Sequence, residues 1–287
     1  MPFSALAQMD IRGRVALVTG AARGIGRATA LALADAGAQL IISDVNETAL
    51  AELASLLQER GRLLLSRRVD VSDRAQMQAF SEAVHAQVPA VDILVNNAGV
   101  GLTGSIETTS LDDWNWVLSI NLWGVIHGCH FFVPKMIEQA RAQGRGGHVV
   151  NVSSAFGYYG GARTIGYCTS KFAVFGLSES LRNELEPHGI GVSVICPGVI
   201  DTDIISTTRI AAENGRDPEK IRARVQKLYK KRNFPPEHVA ESIVSAVRCR
   251  RSIVPVTTEA WLLWLTSRVS SKLSHRIGNL VNRRVEH

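Results

Sequence analysis

The chain has 287 residues, the size of one large α/β domain rather than of two catalytic domains. Hydrophobic residues make up 46% and charged residues 20%, which excludes a disordered chain. The net charge of +6 is uneven: residues 220–287 hold 15 Lys/Arg against 4 Glu, and residues 1–219 hold 17 Lys/Arg against 22 Asp/Glu.

That basic C-terminal quarter fits a nucleic-acid-binding domain poorly, and no aromatic–basic RNA motif or helix-turn-helix pattern accompanies it. It fits an appended surface or membrane-facing element better. No run of about 18 uninterrupted apolar residues is present, so no spanning helix is expected. Met1 to Asp10 lacks a basic region followed by an apolar core, so no secretory signal is expected. Cys129, Cys168, Cys196 and Cys249 are far apart and form no paired spacing. They read as free thiols of a cytoplasmic protein, with no metal site and no disulfide framework.

Along the chain, short β-branched runs alternate with longer helical stretches. Val15–Thr19, Gln39–Asp44, Leu63–Val69, Val91–Asn96, His148–Ser153, Val192–Cys196 and Ser252–Val256 read as strands. Their continuous apolar character predicts burial on both faces, as in a parallel sheet. Helices are predicted from Gly24 to about Ala36, stopped by Gly37, and over Glu47–Arg60, stopped by Gly61, with about six in all. The alternation predicts one α/β domain over residues 1–258: a Rossmann-type, doubly wound fold with a central parallel sheet of about seven strands and helices on both faces. Two regions break the rhythm. Residues 203–235 form a long polar excursion after the sixth strand, with an Asn214-Gly215 turn signal and a charged helical piece from Pro218 to Lys231; this reads as a lid or substrate-binding segment. Residues 259–287 read as an amphipathic basic helical extension.

Thr19-Gly20-Ala21-Ala22-Arg23-Gly24-Ile25-Gly26 follows the first strand and opens the first helix. Glycines there allow a tight turn and a close approach to a pyrophosphate, and the helix N-terminus offers unpaired N–H groups to it. Asp44 ends the second strand about 20 residues on, where a carboxylate accepts from ribose hydroxyls and repels a 2′-phosphate. It favours NAD over NADP. Arg23 pulls the other way, toward a 2′-phosphate, or is a surface neighbour of the pyrophosphate.

Tyr167 and Lys171, four apart on a predicted helix, share one face. A nearby ammonium stabilises a phenolate, which makes Tyr167 a candidate general acid/base. A solvated helix face would also accommodate this pair.

The Gly-x-x-x-Gly-x-Gly spacing and the Tyr-x-x-x-Lys pair resemble the short-chain dehydrogenase/reductase family, and the resemblance spans roughly residues 14–202. It implies an NAD(P)-dependent oxidoreductase, NAD favoured, that moves a hydride between nicotinamide and a secondary alcohol or ketone. By that resemblance Ser154, 13 residues before Tyr167, holds the substrate oxygen. Lys171 binds the nicotinamide ribose, and Asn121, within the long helix after the fourth strand, supports a proton relay to the lysine. Asp70-Val71 and Asn97-Ala98-Gly99 match the adenosine side, and Pro197, Gly198, Ile200 and Thr202 match the nicotinamide side. Plain alternatives remain for several of these: a helix N-cap around Asp70, strand-end turns at the asparagines and at Pro197-Gly198, and a helix-bending role for Asn121.

Tyr158 and Tyr159, shortly after Ser154, are expected by family position to line the substrate pocket opposite the lid. Aromatic walls there suit a bulky apolar, steroid- or lipid-like substrate; local packing is the other use of such residues. In the extension, Leu262, Leu265, Val269, Leu273, Ile277 and Leu280 form an apolar stripe beside Arg268, Lys272 and Arg276, with Trp261 and Trp264 near its start. Such a helix lies on an anionic membrane surface, packs on a neighbouring subunit or covers the active site. A homo-oligomer, a dimer or tetramer, is expected by resemblance, with its interface on the helices holding Asn121 and Tyr167. The competing reading is an NAD-binding regulatory or scaffold protein with little turnover.

Overall fold

The structure, a computed structural model, describes residues 8–211 and 217–270. Strand β1 (Val15–Thr19) leads into α1 (Gly24–Asp35), β2 (Gln39–Asp44), α2 (Glu47–Glu59), β3 (Leu63–Arg68), α3 (Arg74–His85) and β4 (Ile93–Asn96). A two-residue strand β5 (Leu102–Thr103) precedes α4 (Leu111–Leu118), a π-helical turn over Ser119–Trp123 and α5 (Gly124–Gln143). Then come β6 (His148–Val152), α6 (Ile165–Leu185) and β7 (Gly191–Cys196). The excursion holds α7 (Ile204–Thr207), β8 (Arg209–Ile210) and α8 (Pro218–Arg232), and the chain continues through α9 (Pro236–Cys249), β9 (Ile253–Pro255) and α10 (Thr258–Val269).

Seven parallel strands form the central sheet in the order β3-β2-β1-β4-β6-β7-β9. The order reverses between β1 and β4, so a crevice opens beyond their C-terminal ends, where doubly wound sheets bind ligands. Side chains alternate across the sheet. Ala16 and Val18 face α1, α2 and α9, while Leu17 faces the layer of α3, α5 and α6. Both layers are apolar and buried, which is why the strands read as unbroken hydrophobic runs. At the edge opposite the crevice, buried Asp92 accepts from Val15 N and Arg14 at 2.9 Å each and also pairs with Arg145, fastening β1 to β4. Inside, Asn96 Nδ2 donates to Asn151 Oδ1 at 2.9 Å, and Asn151 Nδ2 donates to Ser178 Oγ at 3.0 Å, a polar rung across β4, β6 and α6.

The helical run Leu111–Gln143 contains a window long and apolar enough to cross a membrane, yet half of that window is buried within this protein. It is a core helix. The four cysteines are free thiols, three of them buried.

The excursion is pinned to the body. β8 pairs with β5 in parallel, and Arg209 lies 3.9 Å from the Trp116 ring and 3.3 Å from Asp113 Oδ1. Arg222 donates to the carbonyl oxygens of Ile205, Ser206 and Thr208, satisfying the end of α7. Asn214-Gly215 lies outside the described residues.

The C-terminal helix keeps its apolar stripe outward and packs on the body through another face. Ala260, Leu263 and Thr266 are buried, whereas Leu262 is 48%, Leu265 55% and Val269 73% exposed. The reason lies in two anchors at its start: the Tyr158 hydroxyl donates to Ala260 O at 2.7 Å, and Glu259 Oε1 accepts from Val199 N at 3.2 Å. These fix the helix rotation. Lys272, Leu273, Arg276, Ile277 and Leu280 lie outside the described residues.

Candidate active site

The glycine loop borders the crevice after β1. Gly20 adopts the left-handed region at φ +61°, and a Cβ there would stand 2.7 Å from Ala98 Cα. At Gly26 a Cβ would stand 2.0 Å from the Gly20 carbonyl oxygen and 2.5 Å from Asn97 Nδ2. Gly24 approaches the opposite wall, where a Cβ would meet Thr202 Cγ2 at 3.3 Å. Arg23 is the extended N-cap of α1; its side chain is exposed and gives no cap, and no acidic residue sits in the first turn. The first N–H groups of α1 are therefore left with their partial positive charge. Ile25 packs on the core below.

The segment after β4 is sewn to this loop. Asn97 Nδ2 donates to the carbonyl oxygens of Thr19 at 3.0 Å and Gly20 at 2.9 Å. Thr19 Oγ1 accepts from the N–H groups of Asn97 at 3.1 Å and Ala98 at 3.2 Å. Asp44 turns toward the same place: Oδ2 accepts from Ala22 N and Oδ1 from Asn46 N, each at 2.9 Å. Asp70 Oδ1 accepts from Ser72 N and Ser72 Oγ. The N-cap of α3 is Asp73, which accepts from Ala75 N and Gln76 N. Val71 and Ile200 place their side chains in the core.

Helix α6 brings up Tyr167 and Lys171. Lys171 is 4% exposed; its Nζ lies 5.7 Å from the centre of the Tyr167 ring and donates to Val152 O at 3.0 Å. Burial lowers its pKa from 10.5 to about 8, so the ammonium still dominates at neutral pH. A Cβ on Gly99 would stand 3.2 Å from Asn121 Oδ1 and 3.4 Å from Lys171 Nζ, so this helix meets the sewn segment directly. Asn121 lies in the π-helical turn rather than in regular helix. Its Oδ1 accepts from Val100 N at 2.8 Å, and its Nδ2 donates to Val100 O at 3.0 Å and Ser170 Oγ at 3.1 Å. Ser170 Oγ in turn donates to Tyr167 O at 2.7 Å.

The two serines after β6 part company. Ser153 Oγ donates to the Lys171 carbonyl at 2.8 Å and fixes α6. Ser154 caps the turn Ala155–Gly157, accepting from Phe156 N at 3.2 Å, and donates only a long bond of 3.4 Å to Pro197 O. Phe156 meets the Tyr167 ring edge to face at 6.1 Å. Cys196, also close by, keeps its proton because burial pushes the thiol well up.

Tyr158 and Tyr159 are taken up by local packing. Both pack in a small cluster with Ala260 and Leu263 under α10. Burial pushes the Tyr158 phenol up, and its proton is given to Ala260 O. Phe156 is the aromatic of this segment whose ring meets Tyr167. A cavity of about 550 Å³ opens beside the start of α6, lined by Ile106, Arg163, Cys168 and Phe172 among others; Ser154, Tyr167 and Lys171 are not in its lining. The sequence assigns no supporting role to Thr19, Ser153, Ser170 or Glu259. A hydroxyl at a strand end next to a glycine loop is a readable signal for Thr19. The other three act through contacts that no local pattern marks.

The family model described as short chain dehydrogenase matches residues 14–213. EphD of Mycobacterium tuberculosis, an oxidoreductase by name, is 44% identical over 255 residues, covering 88% of this chain. This chain spans only 42% of EphD's length. The 3-oxoacyl-acyl-carrier-protein reductase FabG of Thermotoga maritima is 34% identical over 236 residues, covering 82% of this chain and 91% of FabG. Among solved structures, a short chain dehydrogenase/reductase from Burkholderia phymatum in complex with NAD superposes with a TM-score of 0.80 at 31% identity, covering 91% of this chain and 93% of that one.

Proposed function

The chain belongs to the short chain dehydrogenase family and is an oxidoreductase on an NAD-binding Rossmann fold, and from that premise we propose that it moves a hydride between nicotinamide and a secondary alcohol or ketone. One observation carries this reading: buried Lys171 lies beside Tyr167 and against Gly99, in the segment sewn to the glycine loop. The acid/base pair and the phosphate cradle thereby face one crevice.

The loop suits a dinucleotide because it is built to pack tightly: Cβ atoms at Gly20 and Gly26 would collide with Ala98 and with the Gly20 carbonyl, so only glycine lets the turn close, and α1 opens uncapped with its first N–H groups free for a phosphate. Gly20, Arg23, Gly24, Ile25 and Gly26 would hold the pyrophosphate. Asp44, Asp70, Val71, Asn97, Ala98 and Gly99 would hold the adenosine side, and Pro197, Gly198, Ile200 and Thr202, with Tyr167 and Lys171, the nicotinamide side. When bound, the nicotinamide supplies the carbon that exchanges hydride with the substrate carbon. NAD is favoured over NADP, since Asp44 is held at the loop by two amides and would repel a 2′-phosphate. The NAD bound by the Burkholderia relative agrees with this.

Tyr167 takes the proton from the substrate hydroxyl in oxidation and returns it in reduction. The Lys171 ammonium stabilises the phenolate and holds the nicotinamide ribose. Ser154, with only one long bond to leave, turns its hydroxyl to the substrate oxygen. Both amide hydrogens of Asn121 are committed, so it serves the proton relay by fixing α6 against Val100. Phe156 beside Tyr167 supports a bulky apolar, steroid- or lipid-like substrate. FabG, whose name gives a 3-oxoacyl substrate, supports carbonyl chemistry of this kind.

Trp123 is 53% and Phe172 44% exposed on the helices expected to pair, which supports a homo-oligomer readable by sedimentation velocity. A panel of secondary alcohols with NAD⁺ and ketones with NADH, followed by NADH absorbance, tests the function. A scaffold protein would bind NADH and turn over none of them.

A further inference from the structure

One carboxylate of the C-terminal helix reaches back to the nicotinamide side of the crevice. Glu259 lies in the first turn of α10 with its side chain 18% exposed. Its Oε1 accepts from Val199 N at 3.2 Å, and its Oε2 accepts from Arg232 Nη2 at the end of α8. The approach is tight. A Cβ on Gly198 would stand 2.4 Å from Glu259 Oε1 and 2.2 Å from Thr257 Oγ1, so the missing side chain at Gly198 is what admits α10 to the loop. The carboxylate cannot drift, because α10 is anchored through Tyr158 to Ala260 O and through buried Ala260 and Leu263. A second tie joins the same stretches: Asp201 N donates to Phe234 O at 2.9 Å.

We infer that Glu259 is a positioning residue that latches Pro197–Thr202 for the nicotinamide and couples that segment to α8. The inference rests on the reading that this segment lines the nicotinamide. The latch has two arms. The arm to Val199 is a hydrogen bond to an acceptor oxygen, and the arm to Arg232 is an ion pair. Substitutions separate them: Glu259→Gln keeps an acceptor for Val199 and cancels the ion pair, Arg232→Met removes the ion pair alone, and Glu259→Ala removes both.

The test is hydrogen exchange by mass spectrometry on the ligand-free and NADH-bound full chain, together with NADH titration by fluorescence. In Glu259→Ala, exchange over residues 198–202 accelerates and NADH binds about 10-fold more weakly, the size expected for losing one hydrogen bond. In Glu259→Gln and Arg232→Met, exchange over 198–202 stays at the wild-type rate and NADH affinity stays within about 2-fold. In those two variants α8 exchanges faster, and the slowing of α8 by NADH that the coupling predicts for the wild type is lost. This rescue of the cofactor side by Gln is not expected of a merely structural contact. Wild-type exchange over 198–202 in Glu259→Ala would overturn the latch, as would an affinity loss in Glu259→Gln equal to that in Glu259→Ala. If Glu259→Ala does not fold, unchanged exchange of α8 in Glu259→Gln and Arg232→Met overturns the coupling. Wild-type protein that binds no NADH contradicts the cofactor reading instead, and the ligand-free exchange data still decide the latch.

Discussion

Lys171 Nζ donates to the carbonyl oxygen of Val152 at 3.0 Å while only 4% of the residue is exposed. A buried ammonium with one visible carbonyl partner is costly, and its pKa falls from 10.5 to about 8 as a result. Between those values the folded protein holds fewer protons than the unfolded chain, so stability rises with pH across that window. Below pH 8 the full cost of burial is present, on the order of 3 kcal/mol for a shift of this size. Lys171→Met is expected to raise Tm at pH 7, with the lost hydrogen bond offsetting part of the gain, and to abolish turnover. Thermal melts at pH 7 and pH 10 check this: the advantage of the variant should shrink at the higher pH, and a lower Tm at pH 7 would contradict it.

The cradle makes a second, steric prediction. A Cβ at Gly26 would stand 2.0 Å from the Gly20 carbonyl, a backbone atom that cannot swing away. Gly26→Ala should destabilise the fold by about 1–3 kcal/mol, the usual cost of overpacking, and remove measurable NADH binding. Urea unfolding and NADH titration read the two effects; wild-type values in both would refute the cradle.

Asp44 receives Ala22 N at the glycine loop, and the proposed cofactor reading sets it against the adenosine ribose. Asp44→Ala should lower kcat/KM with NAD and shift the NAD/NADP ratio toward NADP by about 10-fold or more, since one charge-assisted interaction is lost and one repulsion relieved. Strong NADP preference in the unmutated enzyme would refute the assignment outright.

The outward face of α10 carries Trp261, Leu262, Leu265 and Val269, each at least 44% exposed, with Arg268 close by. We propose that this face meets an anionic membrane surface. Co-sedimentation with phosphatidylglycerol vesicles should fall on Leu262→Glu/Leu265→Glu and with added salt. Equal sedimentation of both proteins would remove the idea. Point substitutions are the better probe, since truncation at residue 259 would also remove the Glu259 contacts.

Which parts could be read before the structure follows from how each is encoded. Ile41 and Ile42 lie on opposite faces of one strand, and both faces are dry, so the strand announces itself as an apolar run. The glycine loop is legible because steric exclusion leaves only glycine at 20 and 26. The π-helical turn at Asn121 was hidden: it is a shift in backbone pairing that side-chain periodicity does not report. Tyr158 misled because an aromatic in a short turn has no period to give its direction, and its target, Ala260 O, lies 102 residues away. The rotation of α10 was not legible for the same reason: the apolar stripe Leu262, Leu265 and Val269 has helical spacing, but contacts at its first turn decide which face packs on the body.

The central claim is that Tyr167 is the acid/base of a nicotinamide-dependent alcohol/ketone oxidoreductase. The most direct test is steady-state turnover of Tyr167→Phe beside the wild type, on whichever alcohol in the panel the wild type oxidises, with NADH affinity measured on both. Turnover should fall by about 10²–10⁴-fold, the scale of general acid/base catalysis, with NADH affinity and Tm close to wild type. Near-wild-type turnover by Tyr167→Phe would contradict the account.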